Sequence, residues 1–172
     1  MRETLIDLKN RRSCRKYTEQ QITEEELSTV LEAGTYAPTG HGTQSPVMVV
    51  VQDKETVALL SRLNAAVRGT SADPFYGAPT VIVVFSDSNV ETYVEDGSLV
   101  IGNLMLGAYA VGLGSCWIHR AKEVFESEEG KKLMKKWGIP ENYKGVGNCI
   151  LGYAACELPT PKPRKADYIL KV

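Results

Sequence analysis

The stretch from Tyr93 to Gly114, YVEDGSLVIGNLMLGAYAVGLG, restricts the possible folds more than any other part of the chain. Val94, Leu99, Val100, Leu104, Leu106 and Val111 recur at helical spacing and predict one long helix. Gly102, Gly107, Ala108 and Ala110 break the apolar series with small side chains. A glycine inside a helix costs up to about 1 kcal/mol relative to alanine, so several together mark a helix packed closely against another backbone. Such a helix needs layers to pack on. VMVVVQ (47–52) and PTVIVVFS (79–86) are short, β-branched and apolar on both faces, as buried strands are. SCWIH (115–119) and GVGNCILGYA (145–154) predict a third and a fourth strand. An amphipathic start over 3–10 precedes a helix over 24–34, with Thr23 as N-cap, Glu26 as its capping-box partner and Gly34 at its end. DKETVALLSRLNAA reads as a helix between the first two strands, and EVFESEEGKKLMKKWG as one exposed, charged helix. YAPTGHGTQSP (36–46) and residues 66–78 are loops. The alternation describes an α+β layer fold, and 172 residues without repeats or a linker make a single domain over 1–172.

Charge excludes some functions. Twenty basic residues face 21 acidic ones, so no global field draws nucleic acid or an anionic membrane, and any anion site must be local. Cys14, Cys116, Cys149 and Cys156 have no C-x-x-C spacing, and only His41 and His119 could join them as nitrogen ligands, so no structural metal is expected. Neither a leader-like N-terminus nor an apolar run of membrane-spanning length is found, which predicts a soluble protein of a reducing cytoplasm with no membrane partner.

The local anion site has a candidate in RRSCRKY, Arg11 to Tyr17. Read alone, the cluster fits either a solvated helix end, where charges about 4 Å apart repel by only ~1 kcal/mol in water, or a cavity facing an anion. Arg11, Arg12, Ser13 and Arg15 could give forked and hydroxyl hydrogen bonds to a phosphate. Cys14 among these cations is either a low-pKa nucleophile or a structural thiol. Lys162, Arg164 and Lys165 form a second basic group beyond the last strand, on a Pro-rich tail ending in Tyr168, Ile169, Leu170 and Val172, whose burial is simplest on a second subunit. The glycines do not make a nucleotide fold: neither Gly112-Leu113-Gly114 nor Gly145-Val146-Gly147 completes G-x-G-x-x-G, and the Walker loop and G-x-S-x-G elbow are absent.

R-R-S-x-R near the N-terminus, A-P-T-G-x-x-x-Q after the second helix, GAPTVIVVF, the small-residue helix ending GLGSCWIH, and GYAACELPTPKPRK follow one another in an order that resembles the FMN-dependent nitroreductase family. The resemblance runs from about Thr4 to Arg164. It implies a nitroreductase-like α+β fold with a central, mostly antiparallel or mixed sheet flanked by helices, and a C-terminal arm exchanged in a homodimer. It also implies FMN at the subunit interface, NADH or NADPH as reductant, and a small-molecule acceptor such as a nitroaromatic or quinone, served in turn at one site. On the family pattern Arg11, Arg12 and Ser13 hold the phosphate and ribityl chain, joined by Arg164 and Lys165. Arg15 reaches the flavin edge on which two-electron reduction leaves negative charge, where a fixed cation favours the reduced form. Pro38, Thr39 and Gly40, with Gln44 nearby, line the ring from the partner chain. Trp117, Ile118 and His119 pass the reactive N5 edge, where a backbone N–H could bind, and Asn64 is a candidate for the pyrimidine edge.

The chain departs from the family pattern at Gly42, where relatives often carry Asn, and at Ser45-Pro46 in place of Pro-Trp. His119 stands where relatives often have another polar residue, and the chain is shorter than those with an extra helical cover. Other flavin chemistry on the same site, such as flavin reduction or reductive dehalogenation, and a non-catalytic flavin-binding role are the alternatives that the resemblance leaves open.

Overall fold

A computed structural model of the chain describes residues 2–172; Met1, part of the expected domain, lies outside them. The elements run α1 (Glu3–Asn10), α2 (Glu24–Thr35), a short 3-10 turn (Gly40–Gly42), β1 (Val47–Val51), α3 (Lys54–Arg68), β2 (Thr80–Asp87), α4 (Tyr93–Ala110), β3 (Gly114–Ile118), α5 (Ala121–Glu126), α6 (Glu128–Lys136) and β4 (Tyr143–Gly152). The four strands form one sheet in the order β1-β2-β4-β3. Every neighbouring pair of these strands is antiparallel.

β2 and β4 lie at the centre and are buried on both faces. Along β2 the side chains alternate: Val81, Val83 and Phe85 pack with α3, α5 and α6, while Ile82 and Val84 pack with α2 and α4. This period of two sorts the core into two layers either side of the sheet. β1, expected to be apolar and enclosed on both faces, is an edge strand with only Val51 buried. Its sequence matches a buried strand because one apolar face packs inward, and nothing in five residues shows whether a fifth strand covers the open edge.

Small residues of α4 do allow close approach, at the expected Gly107 and also at Gly97, which is not among the expected positions. A Cβ on Gly107 would stand 2.8 Å from Ala33 Cβ of α2, and one on Gly97 would stand 2.6 Å from a Val146 methyl. Val146 is the extra residue of a bulge where β4 slips against Val84 and Phe85. Gly102 meets nothing within 4 Å. Gly34 does not terminate α2, which continues to Thr35; a Cβ there would lie 2.8 Å from both Leu104 and Met48, so packing requires the glycine. The Thr23–Glu26 capping box is formed in full. The single charged helix over 123–138 is instead two, because Ser127 caps a new helix by accepting from Gly130 N–H at 3.1 Å. Both halves bury an apolar side, with Val124 and Phe125 in α5 and Leu133 and Met134 in α6.

α1 rests on α4 and buries none of its side chains, leaving Leu5, Ile6 and Leu8 exposed. Residues 159–172 are exposed throughout. Among the described residues no helix is long and apolar enough to cross a membrane.

Candidate functional site

α1 ends at Arg11, whose N–H donates to Asp7 O at 2.8 Å. Arg12 turns back over that end and donates from both terminal nitrogens to the Arg11 and Lys9 carbonyls. A cation at a helix C-terminus is where the helix dipole favours one. Ser13 then pairs in parallel with Ser115 of β3, and Cys14 N–H donates to Ser115 O at 2.9 Å. The basic segment therefore meets β3 near its start, with the Cys14 side chain against Gly114. Arg15 and Lys16 are exposed, and Tyr17 is buried with its hydroxyl on Cys14 O at 3.0 Å. Arg11 Nη1 and Arg12 Nε are buried with no hydrogen-bond partner among the described residues. A buried donor left without an acceptor costs about 1–3 kcal/mol, so these two guanidinium edges suit an anion.

At the far end of β3, two buried asparagines hold consecutive carbonyls. Asn148 Nδ2 donates to Ile118 O at 3.2 Å, and Asn64 Nδ2 donates to His119 O at 2.7 Å. Each asparagine is only 2% exposed. Both peptides are trans, and in a planar trans peptide the N–H points opposite to the C=O. Holding the Ile118 and His119 carbonyls inward therefore turns the His119 and Arg120 N–H groups outward. Trp117 is half-buried against Gly147, Ile118 is buried and His119 is exposed. Asn64 is thus a clamp on this segment, with its amide committed to His119.

The loop after α2 is fastened to α4. Asp96, 2% exposed, accepts from Gly40 N–H at 2.9 Å and from the Thr92 hydroxyl at 3.1 Å. Thr39 Oγ1 accepts from Gln44 N–H at 3.0 Å, and Ser45 bonds Ser86 of β2 at 2.9 Å. Pro38, Gln44 and Gly42 are exposed. Of the four non-glycine residues with positive φ among the described residues, His41, Gln44 and Arg120 lie in these two segments. Such backbone is costly and clusters at functional sites.

Arg164 and Lys165 stand on the exposed arm; Lys165 pairs with Asp167 at 3.9 Å and lies 5.6 Å from the Tyr168 ring centre. No hydrogen bond or ion pair joins the two basic groups among the described residues. Burial raises the Cys14 thiol pKa, partly opposed by hydrogen bonding from the Lys16 backbone. That is the opposite of what a low-pKa nucleophile needs. A cavity of about 660 Å³ between α5, α6 and the start of β4 contains none of the candidate residues.

Comparison with known proteins identifies the family. The family model described as the nitroreductase family matches residues 8–74 and 66–153. The chain belongs to the nitroreductase family. It is 35% identical over 181 residues to an FMN reductase [NAD(P)H] of Bacillus subtilis, covering 95% of this chain and 70% of that protein. A protein of Archaeoglobus fulgidus, provisionally named NADH dehydrogenase/NAD(P)H nitroreductase, is 32% identical over 174 residues, which is 98% of this chain and 91% of the relative. A crystal structure of a nitroreductase with bound FMN from Bacteroides fragilis superposes with a TM-score of 0.91 at 30% identity, each chain covered in full. One from Desulfitobacterium hafniense, also with bound FMN, superposes at 0.89 and 26% identity, covering 100% of this chain and 99% of that one.

Two residues that organise the candidate site escape a reading of the sequence. Asp96 sits in the first turn of α4, where an acidic residue normally needs only the helix dipole as its reason. Asn148 did leave a signal, being a strand-averse residue inside the apolar run GVGNCILG.

Proposed function

We propose that this nitroreductase-family chain is an NAD(P)H-dependent FMN oxidoreductase that works as a homodimer and passes two electrons to nitroaromatic, quinone or similar small acceptors. The observation that carries the reading is the pair of unpartnered buried guanidinium atoms, Arg11 Nη1 and Arg12 Nε, on the same edge of β3 that leads to the outward N–H groups of His119 and Arg120. The first pair fits a phosphate, the second a ring acceptor atom, and FMN carries both. When bound, FMN supplies a ring that takes hydride from NAD(P)H and yields two electrons to the acceptor.

The chain's own residues position it. Arg11, Arg12 and Ser13 hold the phosphate end, and Arg15, exposed beside them, provides positive charge toward the pyrimidine edge. Asn64 and Asn148 hold the 117–119 segment so that its N–H groups meet the ring, and His119 leaves protons to be drawn from solvent. Pro38, Thr39, Gly40 and Gln44 line the ring from the second subunit, and that subunit's arm brings Arg164 and Lys165 to the phosphate. Leu5, Ile6 and Leu8 of α1 and Val94 and Leu99 of α4 are exposed apolar residues of the kind that a partner subunit covers. The chain acts as one domain, and one open site serves reductant and acceptor in turn.

Purified protein tests this directly. The expected result is a flavin absorbance spectrum near one FMN per chain on a dimer by sedimentation, bleached by NADH or NADPH without oxygen and restored by a nitroaromatic. A colourless protein that takes up no added FMN, or a bound flavin that neither nicotinamide bleaches, refutes the reading.

A further inference from the structure

Cys14 and Cys156 meet where two segments cross. Beyond β4 the chain runs back along residues 14–18: Tyr17 pairs antiparallel with Ala154, Thr18 N–H donates to Tyr153 O and Ala155 N–H donates to Lys16 O, each at 2.9 Å. The Cys14 thiol donates to that same Lys16 carbonyl at 3.2 Å, so it shares an acceptor with the residue before Cys156, and burial first, then the neighbouring Cys156 thiol, push its pKa up. Cys14 is fully buried at 0% exposure, whereas Cys156 is the one exposed cysteine among the described residues. Cys14 is also fixed in place, by its N–H on Ser115 O and by the Tyr17 hydroxyl on its carbonyl. A Cβ on Gly114 would stand 2.9 Å from its sulfur, so the glycine makes the room it occupies.

We propose that Cys14 and Cys156 form a reversible intrachain disulfide by exchange with a low-molecular-weight disulfide. The exposed Cys156 thiolate attacks one sulfur of the small disulfide, forming a mixed disulfide and releasing one thiolate. Cys14 then gives up its proton and attacks Cys156 Sγ, expelling the second thiolate. Two cysteine thiols are oxidised, one small disulfide is reduced to two thiols, and the two protons lost by the protein end on those thiols. Exposure sets the order. Cys14, enclosed and held in its thiol form by burial, cannot begin the exchange, but it is already beside the sulfur it must attack, and a neighbour so placed acts at a high effective concentration. The bond would tie the basic segment 11–15 to the root of the arm that carries Arg164, a consequence for FMN that rests on the function proposed above; the bond itself does not.

The test treats native, reduced protein with dithiobis(nitrobenzoate), an aromatic disulfide. The wild type should release about two equivalents of nitrothiophenolate per chain and retain none, its intact mass falling by two hydrogens. Cys14→Ser should stop at about one equivalent and keep the label, and Cys156→Ser should release almost none while folded. Fragmentation of the oxidised wild type should assign the bond to Cys156 rather than Cys149. A wild type that keeps a stable label after one equivalent overturns the proposal, as does a Cys156→Ser protein that still releases two. If Cys14→Ser does not fold, the wild-type mass and Cys156→Ser decide the matter. Apo protein serves equally well, so failure here leaves the flavin reading standing, and a colourless protein leaves the thiol result intact.

Discussion

Asp96 is the residue through which a small change far from any ligand should reach the site. Its carboxylate is 2% exposed and accepts from Gly40 N–H at 2.9 Å and from Thr92 Oγ at 3.1 Å. A hydrogen bond to a charged acceptor contributes about 1.5–3 kcal/mol, and an orphaned buried donor costs about 1–3 kcal/mol. In Asp96→Ala the Thr92 hydroxyl can rotate to another acceptor, but Gly40 N–H cannot, because the loop lies directly on α4: a Cβ on Gly40 would fall 2.2 Å from Thr92 Oγ1. The loss is therefore one full charged bond and part of a second, about 3 kcal/mol. With a urea slope of about 2 kcal/mol per molar, the unfolding midpoint should fall by about 1.5 M at fixed protein concentration. Asp96→Asn keeps an acceptor for Gly40 and loses only the charge, roughly halving the bond, so its midpoint should fall by about 0.5 M. FMN retention should weaken in the alanine variant although Asp96 is itself buried, since Pro38–Gly40 lose their anchor. An alanine midpoint within about 0.25 M of wild type would refute the anchoring, and so would an asparagine variant as unstable as the alanine one.

Gly130→Ala should destabilise by about 3 kcal/mol or more, because its Cβ would stand 2.0 Å from Val124 O and 2.6 Å from Phe125 Cα, both backbone; Trp137, whose ring centre is 5.7 Å from that of Phe125, supplies the fluorescence signal for the unfolding curve. Glu26 is held below the usual carboxylate range first by Thr23 N–H and then by the Tyr153 hydroxyl. Its contribution to stability is therefore present above the unfolded value of about 4.3 and lost as pH falls through the lower folded value. Urea midpoints taken down that range should show a shallower acid decline for Glu26→Gln than for wild type, and parallel declines would count against it. Arg164→Ala should weaken FMN retention on gel filtration, and equal retention would remove the arm from the phosphate site. Arg15→Ala should chiefly lower the flavin reduction potential, read by dye equilibration, and an unchanged potential would place its guanidinium elsewhere.

Local chemistry was readable where residues act on their neighbours in sequence. The Thr23–Glu26 box, the apolar strands and the long helix need only spacing and propensity, and each lies within a residue or a few of its expected place. The reading fell short where a residue's role depends on what the fold brings to it. Gly34 looked like a helix end and is a contact with Leu104 and Met48; Ser127 looked like one more helical residue and is a cap. β1 carries the composition of an enclosed strand and sits at an edge, because strand order is not encoded in any one strand. At the candidate site, the cations of RRSCRKY announced themselves by charge. The groups that aim the backbone were harder to read: Asn64 was expected at a flavin edge, Asp96 passed as a helix-start acid and Asn148 stood out only as a polar residue in an apolar strand, since a single buried amide or carboxylate acquires its meaning from carbonyls and N–H groups many positions away.

The same contrast explains why the parts of the site differ in rigidity. Segments 13–17, 39–44 and 117–119 are each held by backbone pairing or by buried side-chain hydrogen bonds within the chain. Among the described residues the arm after Leu158 has no such fastening to the body: Leu170 is 82% exposed, and the arm's ion pair joins its own Lys165 and Asp167. Burying an aliphatic or aromatic side chain contributes about 1.5–3 kcal/mol, so Tyr168, Ile169 and Leu170 together offer several kcal/mol that folding of one chain leaves unused. In the proposed dimer this energy is realised only when the arm docks, and Arg164 and Lys165 arrive with it. Loss of the arm's apolar end should therefore weaken association and FMN retention together, while leaving the Trp117–His119 segment and its two asparagine clamps in place.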